Sequence, residues 1–204
     1  MCGFVWMVDI STGKILPRSF YERDPACVAR DLLGNVLVRR LGEVELSGRI
    51  VEVEAYYGED DPASKAYGGR RKFNELMFLE VGKTFIYMVH GNWLLNIVSH
   101  PPNKVGAVLI RAVEPVKGIE VMMKNRKTTN IYSLTNGPGK LTKAFLIDKT
   151  LNNTDVTDPS SPIYIVESFG REFKIESSHR IGVKKDLPEK LRFYIGGSQF
   201  VSKR

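Results

Sequence analysis

The alternation of apolar and polar positions divides the chain into helices and strands of ordinary length. After Asp24-Pro25, the residues Ala26, Val28, Ala29, Leu32 and Leu33 recur at helical spacing, and Gly34 follows them. Proline suits the first helical turn and glycine the position past the last, so a capped helix is expected here. Residues 36–40 and 46–56 carry the pattern of strands. Residues 85–90 and 93–98 read as two strands joined by a Gly91-Asn92 turn, and residues 107–113 as a third, after a proline-bearing loop at 99–106. Glu114-Pro115 is expected to open a helix holding Ile119, Met122 and Met123. A second short helix is expected at 141–147, preceded by Asn136-Gly137-Pro138-Gly139, and late strands at 163–166 and 192–195.

This order predicts an α+β fold and not a βαβ alternation: a single compact domain whose curved, mostly antiparallel sheet is flanked by helices. The expected division is a loosely attached leader at 1–19 and one domain at 20–204. A chain of 204 residues can bury a real core. No apolar run approaches the roughly 20 residues needed to span a bilayer. Residues 1–9 are apolar but lack a basic leader and a small-residue cleavage site, so neither a secretory signal nor a membrane partner is expected.

Composition narrows the chemistry. Two cysteines, Cys2 and Cys27, give no disulfide framework and no metal spacing, which suits a reducing intracellular compartment. The three histidines, His90, His100 and His179, are scattered, so no metal site is expected. The net charge of +7 points to a polyanionic partner, with a merely soluble basic surface as the alternative. Basic residues fall in short clusters, such as Arg70-Arg71-Lys72 and Lys184-Lys185, so nucleic acid would meet a folded surface and not a tail. The glycine-rich stretch near 137 lacks Walker spacing, because Lys140 is followed by Leu141, and no cofactor is expected.

The segment from Gly48 to Tyr56 carries the most information. Strand alternation puts Val51, Val53 and Ala55 on one face and Ile50, Glu52, Glu54 and Tyr56 on the other. Two carboxylates on one strand face need water or cations. One reading is the wet side of a half-buried sheet; the other is a pocket floor, an acid beside an aromatic plate able to stack a nucleobase. Arg111 interrupts the apolar run Val108-Leu109-Ile110 and Ala112-Val113, and pairing with Glu52 or Glu54 would satisfy both partners. Asn96 is either a satisfied core amide or a reader of a base edge. His90 is either an exposed turn residue or a wedge or phosphate contact. Lys140, in a loop entering a helix, is either structural or a phosphate contact.

Taken together, these segments resemble the alkyladenine (3-methyladenine) DNA glycosylase family. The resemblance is carried by Ala29 to Gly34, Gly48 to Tyr56 with Gly58, Ala66-Tyr67-Gly68-Gly69-Arg70, Asn136 to Ala144 and Leu191-Arg192-Phe193-Tyr194, and it runs from about residue 20 to the C-terminus. It implies an intracellular, monomeric repair enzyme, in nucleoid or nucleus, that flips a damaged purine out of double-stranded DNA. It also implies roles. Glu54 would deprotonate the attacking water, with Arg111 and the carbonyl of Ile181 holding that water. Tyr56 would stack on the base, Tyr87 line the pocket and Asn96 meet the base edge. Arg70 and Lys140 would contact phosphates. Three departures stand out: Lys65 replaces the histidine nine residues after the stacking tyrosine, His90 replaces the tyrosine that fills the vacated stack, and the 91–96 segment is one residue short. These changes leave the lesion open between cationic alkylated purines and neutral ones such as hypoxanthine or etheno-adenine. They also leave open a non-catalytic damaged-DNA-binding module and a glycosylase/lyase using the Lys65 amine.

Overall fold

Strand β2 (Val44–Tyr56) is long enough to have different neighbours at its two ends. The computed structural model describes residues 13–168 and 172–202, and within them every other strand is placed relative to this one. One edge of β2 pairs with β5 (Ala107–Lys117); the other pairs first with β1 (Val36–Leu41) and then with β8 (Arg192–Ile195). The sheet runs β3 (Thr84–Val89), β4 (Asn92–Val98), β5, β2, β1, β6 (Ile163–Val166), with β7 (Ile175–Ser178) added on β8. All named pairings are antiparallel, and the sheet curls into a half-barrel, the α+β arrangement expected from the sequence.

Four α-helices flank the sheet among the described residues: α1 (Arg18–Tyr21), α2 (Pro25–Leu32), α3 (Ile119–Arg126) and α4 (Pro138–Ala144). Helix α2 forms as its sequence dictates. The Asp24 carboxylate accepts from the amides of Ala26 at 2.8 Å and Cys27 at 3.2 Å, Pro25 occupies the first turn, and Gly34 lies beyond the end at φ 86°. Its buried side, Val28, Ala29 and Leu32, joins Val51, Val53 and Ala55 of β2 in the main core. Each valine or leucine among them stabilises the fold by about 1.5–3 kcal/mol on full burial.

Several expectations are corrected. Glu114-Pro115 does not open a helix: β5 continues to Lys117, with Glu114 opposite Arg49 and Pro115 opposite Gly48, and α3 starts only after Gly118 at φ 75°. A register shift beside Gly48 accommodates the proline, which lacks the ladder donor. Gly48 is needed there, because a Cβ would stand 2.6 Å from Val113. The β3–β4 turn is His90-Gly91, not Gly91-Asn92: both residues have positive φ, 47° and 74°, and Val89 pairs with Asn92. Helix α4 begins at Pro138, earlier than expected, and ends at Ala144. Strand β7 was not anticipated. Of the expected leader, residues 1–12 lie outside the described residues. Residues 13–19 are fastened to the sheet, with the Leu16 amide on the Ile165 carbonyl, Ile15 bridging Val166, and Leu16 in the core. No helix among the described residues is long and apolar enough to cross a membrane.

Candidate active site

Two β-bulges in the β2–β5 ladder build the site. Between Ile50 and Glu52, β2 advances two residues while β5 advances one, so Ile50 and Val51 both join the core. Ile50 therefore does not share the face of the glutamates. Between Glu52 and Val53 the reverse occurs: Ala112 pairs with Glu52 and Ile110 with Val53, leaving Arg111 as the extra residue. A bulge re-aims its side chain, and here the Arg111 guanidinium meets both acids, Nε at 2.8 Å from Glu52 and Nη1 at 3.1 Å from Glu54.

Both glutamates are 0% exposed, which rules out the wet-face reading of this strand. Their surroundings differ. Glu52 is enclosed by donors: Arg111, Arg192 Nε at 2.8 Å, and the amide and hydroxyl of Ser202, the latter at 2.7 Å. Burial pushes its carboxyl up, but Arg111, the Ser202 amide and Arg192 outweigh it and hold Glu52 below the usual carboxylate range. Glu54 accepts from the Ile181 amide at 2.7 Å, the Tyr56 hydroxyl at 2.8 Å and Arg111. For Glu54 burial wins: its carboxyl is raised, with neighbouring Glu52 adding to burial against the three donors. Two acids two residues apart thus divide into one held ionised and one poised to take up a proton.

The three partners of Glu54, namely Tyr56, Arg111 and Ile181, all line a cavity of about 560 Å³, so the carboxylate sits directly behind its wall. Tyr87, Lys65 and His90 line the same cavity, as do Pro138 and Gly139 from the start of α4. That start is drawn in by the bridge between Ala112 and Asn136 and by Gly139, whose missing Cβ lets it pass Asn92. Burial first, then the Glu54 charge, push the Tyr87 phenol up to about 12, with Asn96 drawing it back.

Other expected residues are less directly placed. Asn96 is buried with its amide on the Phe85 carbonyl at 3.1 Å, and Leu94, not Asn96, lines the cavity. Ile181 meets Glu54 through its N–H, a contact different from the carbonyl role expected for it. Arg70 is exposed and ion-paired with Glu75, and Lys140 donates to Asn136 at 2.8 Å; neither lines the cavity.

Sequence reading missed Arg180. Its side chain is fully buried, forks onto Asp61 at 2.6 and 2.7 Å and onto Asp186, and donates to the Ala55 carbonyl. Its guanidinium lies 4.6 Å from the Tyr56 ring centroid, so it backs the aromatic plate and anchors the residue before Ile181. Asn74 was also missed: it donates to the Lys65 carbonyl at 2.7 Å and fixes the backbone beneath that lysine. Neither residue belongs to a periodic segment, so no pattern pointed to it.

Residues 19–199 match the family model described as methylpurine-DNA glycosylase (MPG). Relatives carrying the name "Putative 3-methyladenine DNA glycosylase" include one from Methanoculleus marisnigri, 43% identical over 199 residues, which covers 93% of this chain and 99% of the relative. Another, from Mesorhizobium japonicum, is 40% identical over 197 residues, covering 95% and 94%. A third, from Koribacter versatilis, is 38% identical over 191 residues, covering 92% of each. With nearly its whole length matched at this identity, the chain belongs to the methylpurine-DNA glycosylase family.

Proposed function

We propose that this protein is a monomeric, monofunctional base-excision repair glycosylase that acts on double-stranded DNA. A base inside the duplex stack is out of reach, so the damaged purine nucleotide is rotated into the cavity at a cost of a few kcal/mol. Tyr56 stacks on it, with Tyr87 as a second aromatic wall and Asn96 behind it. Glu54 takes a proton from a water held by Arg111 and the Ile181 carbonyl. The water oxygen bonds to C1′ of the sugar, the C1′–N bond breaks, and its electron pair leaves with the base. The negative charge of Glu54 also favours the positive charge developing on the sugar. His90, at the hairpin tip, fills the vacated stack, and Arg70 and Lys140 hold flanking phosphates.

The observation that carries this reading is a buried Glu54 carboxylate set directly behind an aromatic-walled cavity and accepting hydrogen bonds from Tyr56, Arg111 and Ile181, which line it. Glu54→Gln keeps the shape but turns one accepting oxygen into an NH2 that faces a donor, and it cannot accept the proton. Single-turnover base release from a lesion duplex is expected to fall at least about a hundredfold, within the usual range for general base catalysis. Duplex affinity is expected to hold. Release at the wild-type rate would remove Glu54 from this role, and no release by wild type across a lesion panel would favour a binding module.

The Lys65 amine lines the same cavity, which gives a lyase reading specific footing. In that reading the amine displaces the base at C1′ and forms an imine with the opened sugar. Borohydride would then trap a DNA adduct in wild type but not in Lys65→Ala.

A further inference from the structure

Arg111 is held on three sides. Its Nε donates to Glu52 at 2.8 Å, its Nη1 to Glu54 at 3.1 Å and its Nη2 to the Ser202 hydroxyl oxygen at 3.2 Å. A guanidinium is planar, so separate partners on its three nitrogens fix both its place and its tilt. Ser202 also faces the other way. Its hydroxyl donates to Glu52 at 2.7 Å, and its main-chain N–H donates to the second oxygen of the same carboxylate. A serine does this because its hydroxyl both donates and accepts. The segment that delivers Ser202 is itself anchored: Val201 is buried, and Ser202 passes beside Gly137 at the entry to α4. Among the described residues that line the cavity, neither Glu52 nor Ser202 appears, nor does Arg192, the second arginine on Glu52.

The charge of Arg111 is shared unequally. Glu54 receives Nη1 at the longer distance, whereas Glu52 receives Nε and a second arginine as well. The charged and titratable groups around Glu54 are Glu52 and Tyr56 from β2, Arg111 from β5, Tyr87 from β3, Arg192 opposite it on β8, and Arg180 from the segment after β7. Of these, Glu52 is the one other carboxylate. It opposes ionisation of Glu54 directly, as a like charge, and indirectly, by drawing on Arg111. A carboxylate with Arg111 to itself would be firmly ionised and a weak base.

We propose that Glu52 and Ser202 are positioning residues for the water-activating step: together they clamp Arg111, so that it orients Glu54 and the water without pairing fully with Glu54. The proposal rests on the reading of Glu54 as general base. The test is a titration of the Glu54 carboxyl by carbon-13 NMR of glutamate-labelled protein, with Glu54→Gln identifying the signal. Glu52→Gln removes the competing charge. Ser202→Ala removes the hydroxyl clamp and keeps the main-chain N–H. Both free Arg111 to turn toward Glu54, so both titrations are expected to move to lower pH, by about one pH unit in Glu52→Gln and by less in Ser202→Ala. Ser202→Thr keeps the hydroxyl and is expected to titrate as wild type does. The acid limb of single-turnover base release from a hypoxanthine duplex should move with the carboxyl, and duplex affinity should hold. A Glu54 titration that stays in place in both variants, or moves to higher pH, would overturn the proposal even if base release slowed, because a merely structural loss slows the reaction without moving the titration. If Glu52→Gln failed to fold, Ser202→Ala against Ser202→Thr would decide. The NMR arm needs no turnover. A carboxyl that moves while the kinetic limb stays would keep the clamp and remove Glu54 from the role of base.

Discussion

At the scale of single residues, Glu54 shows how far strand alternation reaches and where it stops. The pattern put Glu52, Glu54 and Tyr56 on one face, and the Tyr56 hydroxyl does bond the Glu54 carboxylate. Alternation could not say what covered that face, because the covering groups, Ser202, Arg192 and Ile181, come from residues more than a hundred positions away. Nor could it separate the acids, whose different proton affinities arise from those same distant partners. The separation has a measurable consequence. A general base works only when ionised, so activity falls as pH drops through its pKa. Because burial raises Glu54, the acid limb of kcat/KM is expected above the usual carboxylate range. Arg111 opposes that rise, so Arg111→Met should move the limb further up as well as slow the reaction. A pH profile on a substrate that does not itself titrate in this window checks both; an acid limb at the ordinary glutamate value would count against Glu54 as the base.

At the scale of elements, strands and the capped helix α2 were legible because their signals are local: period two, an Asp-Pro start, a glycine stop. What was not legible lies where the ladder is irregular. A bulge has no sequence signature in Val108 to Val113, yet it aims Arg111 at both acids. Pro115 suggested a helix start because the register shift that tolerates it inside β5 involves the opposite strand. The hairpin turn lies one residue earlier than Gly91-Asn92 suggests, since a two-residue turn of this kind has positive φ at both central positions, and His90 and Gly91 are the two residues that adopt it. The corrected turn allows backbone and side chain to be tested separately. A Cβ at Gly91 would meet nothing within 4 Å, so Gly91→Ala should cost only the left-handed backbone penalty, about 1–2 kcal/mol in urea unfolding. His90→Asn keeps a residue that tolerates φ 47° and removes the imidazole. Stability should hold, while base flipping, followed by 2-aminopurine fluorescence beside the lesion, should weaken more than affinity for undamaged duplex. Equal loss of both would make His90 a plain phosphate contact.

At the scale of the whole molecule, a net charge of +7 was the earliest hint of a polyanionic partner and the least specific. The structure shows why charge alone says little about contacts. Arg70 and Glu75 form a half-exposed pair at 2.5 Å, and Lys140 is tied to Asn136. To contact a phosphate, each would have to exchange an internal partner for it. An exposed ion pair contributes only about 0–1 kcal/mol, so the exchange is cheap where a phosphate is close by. Each phosphate neutralised releases counterions and adds about 0.9 to the slope of log affinity against log salt. Arg70→Gln and Lys140→Gln should therefore each flatten that slope by about one unit, to the same extent on damaged and undamaged duplexes. Glu75→Gln removes the competitor of Arg70 and should tighten binding at low salt by no more than about fivefold, an effect that vanishes in the Arg70→Gln background. Lys65 lines the cavity, so Lys65→Met is expected to leave the slope nearly unchanged. A flattened slope in Lys65→Met would place that lysine on the phosphate backbone instead of in the cavity.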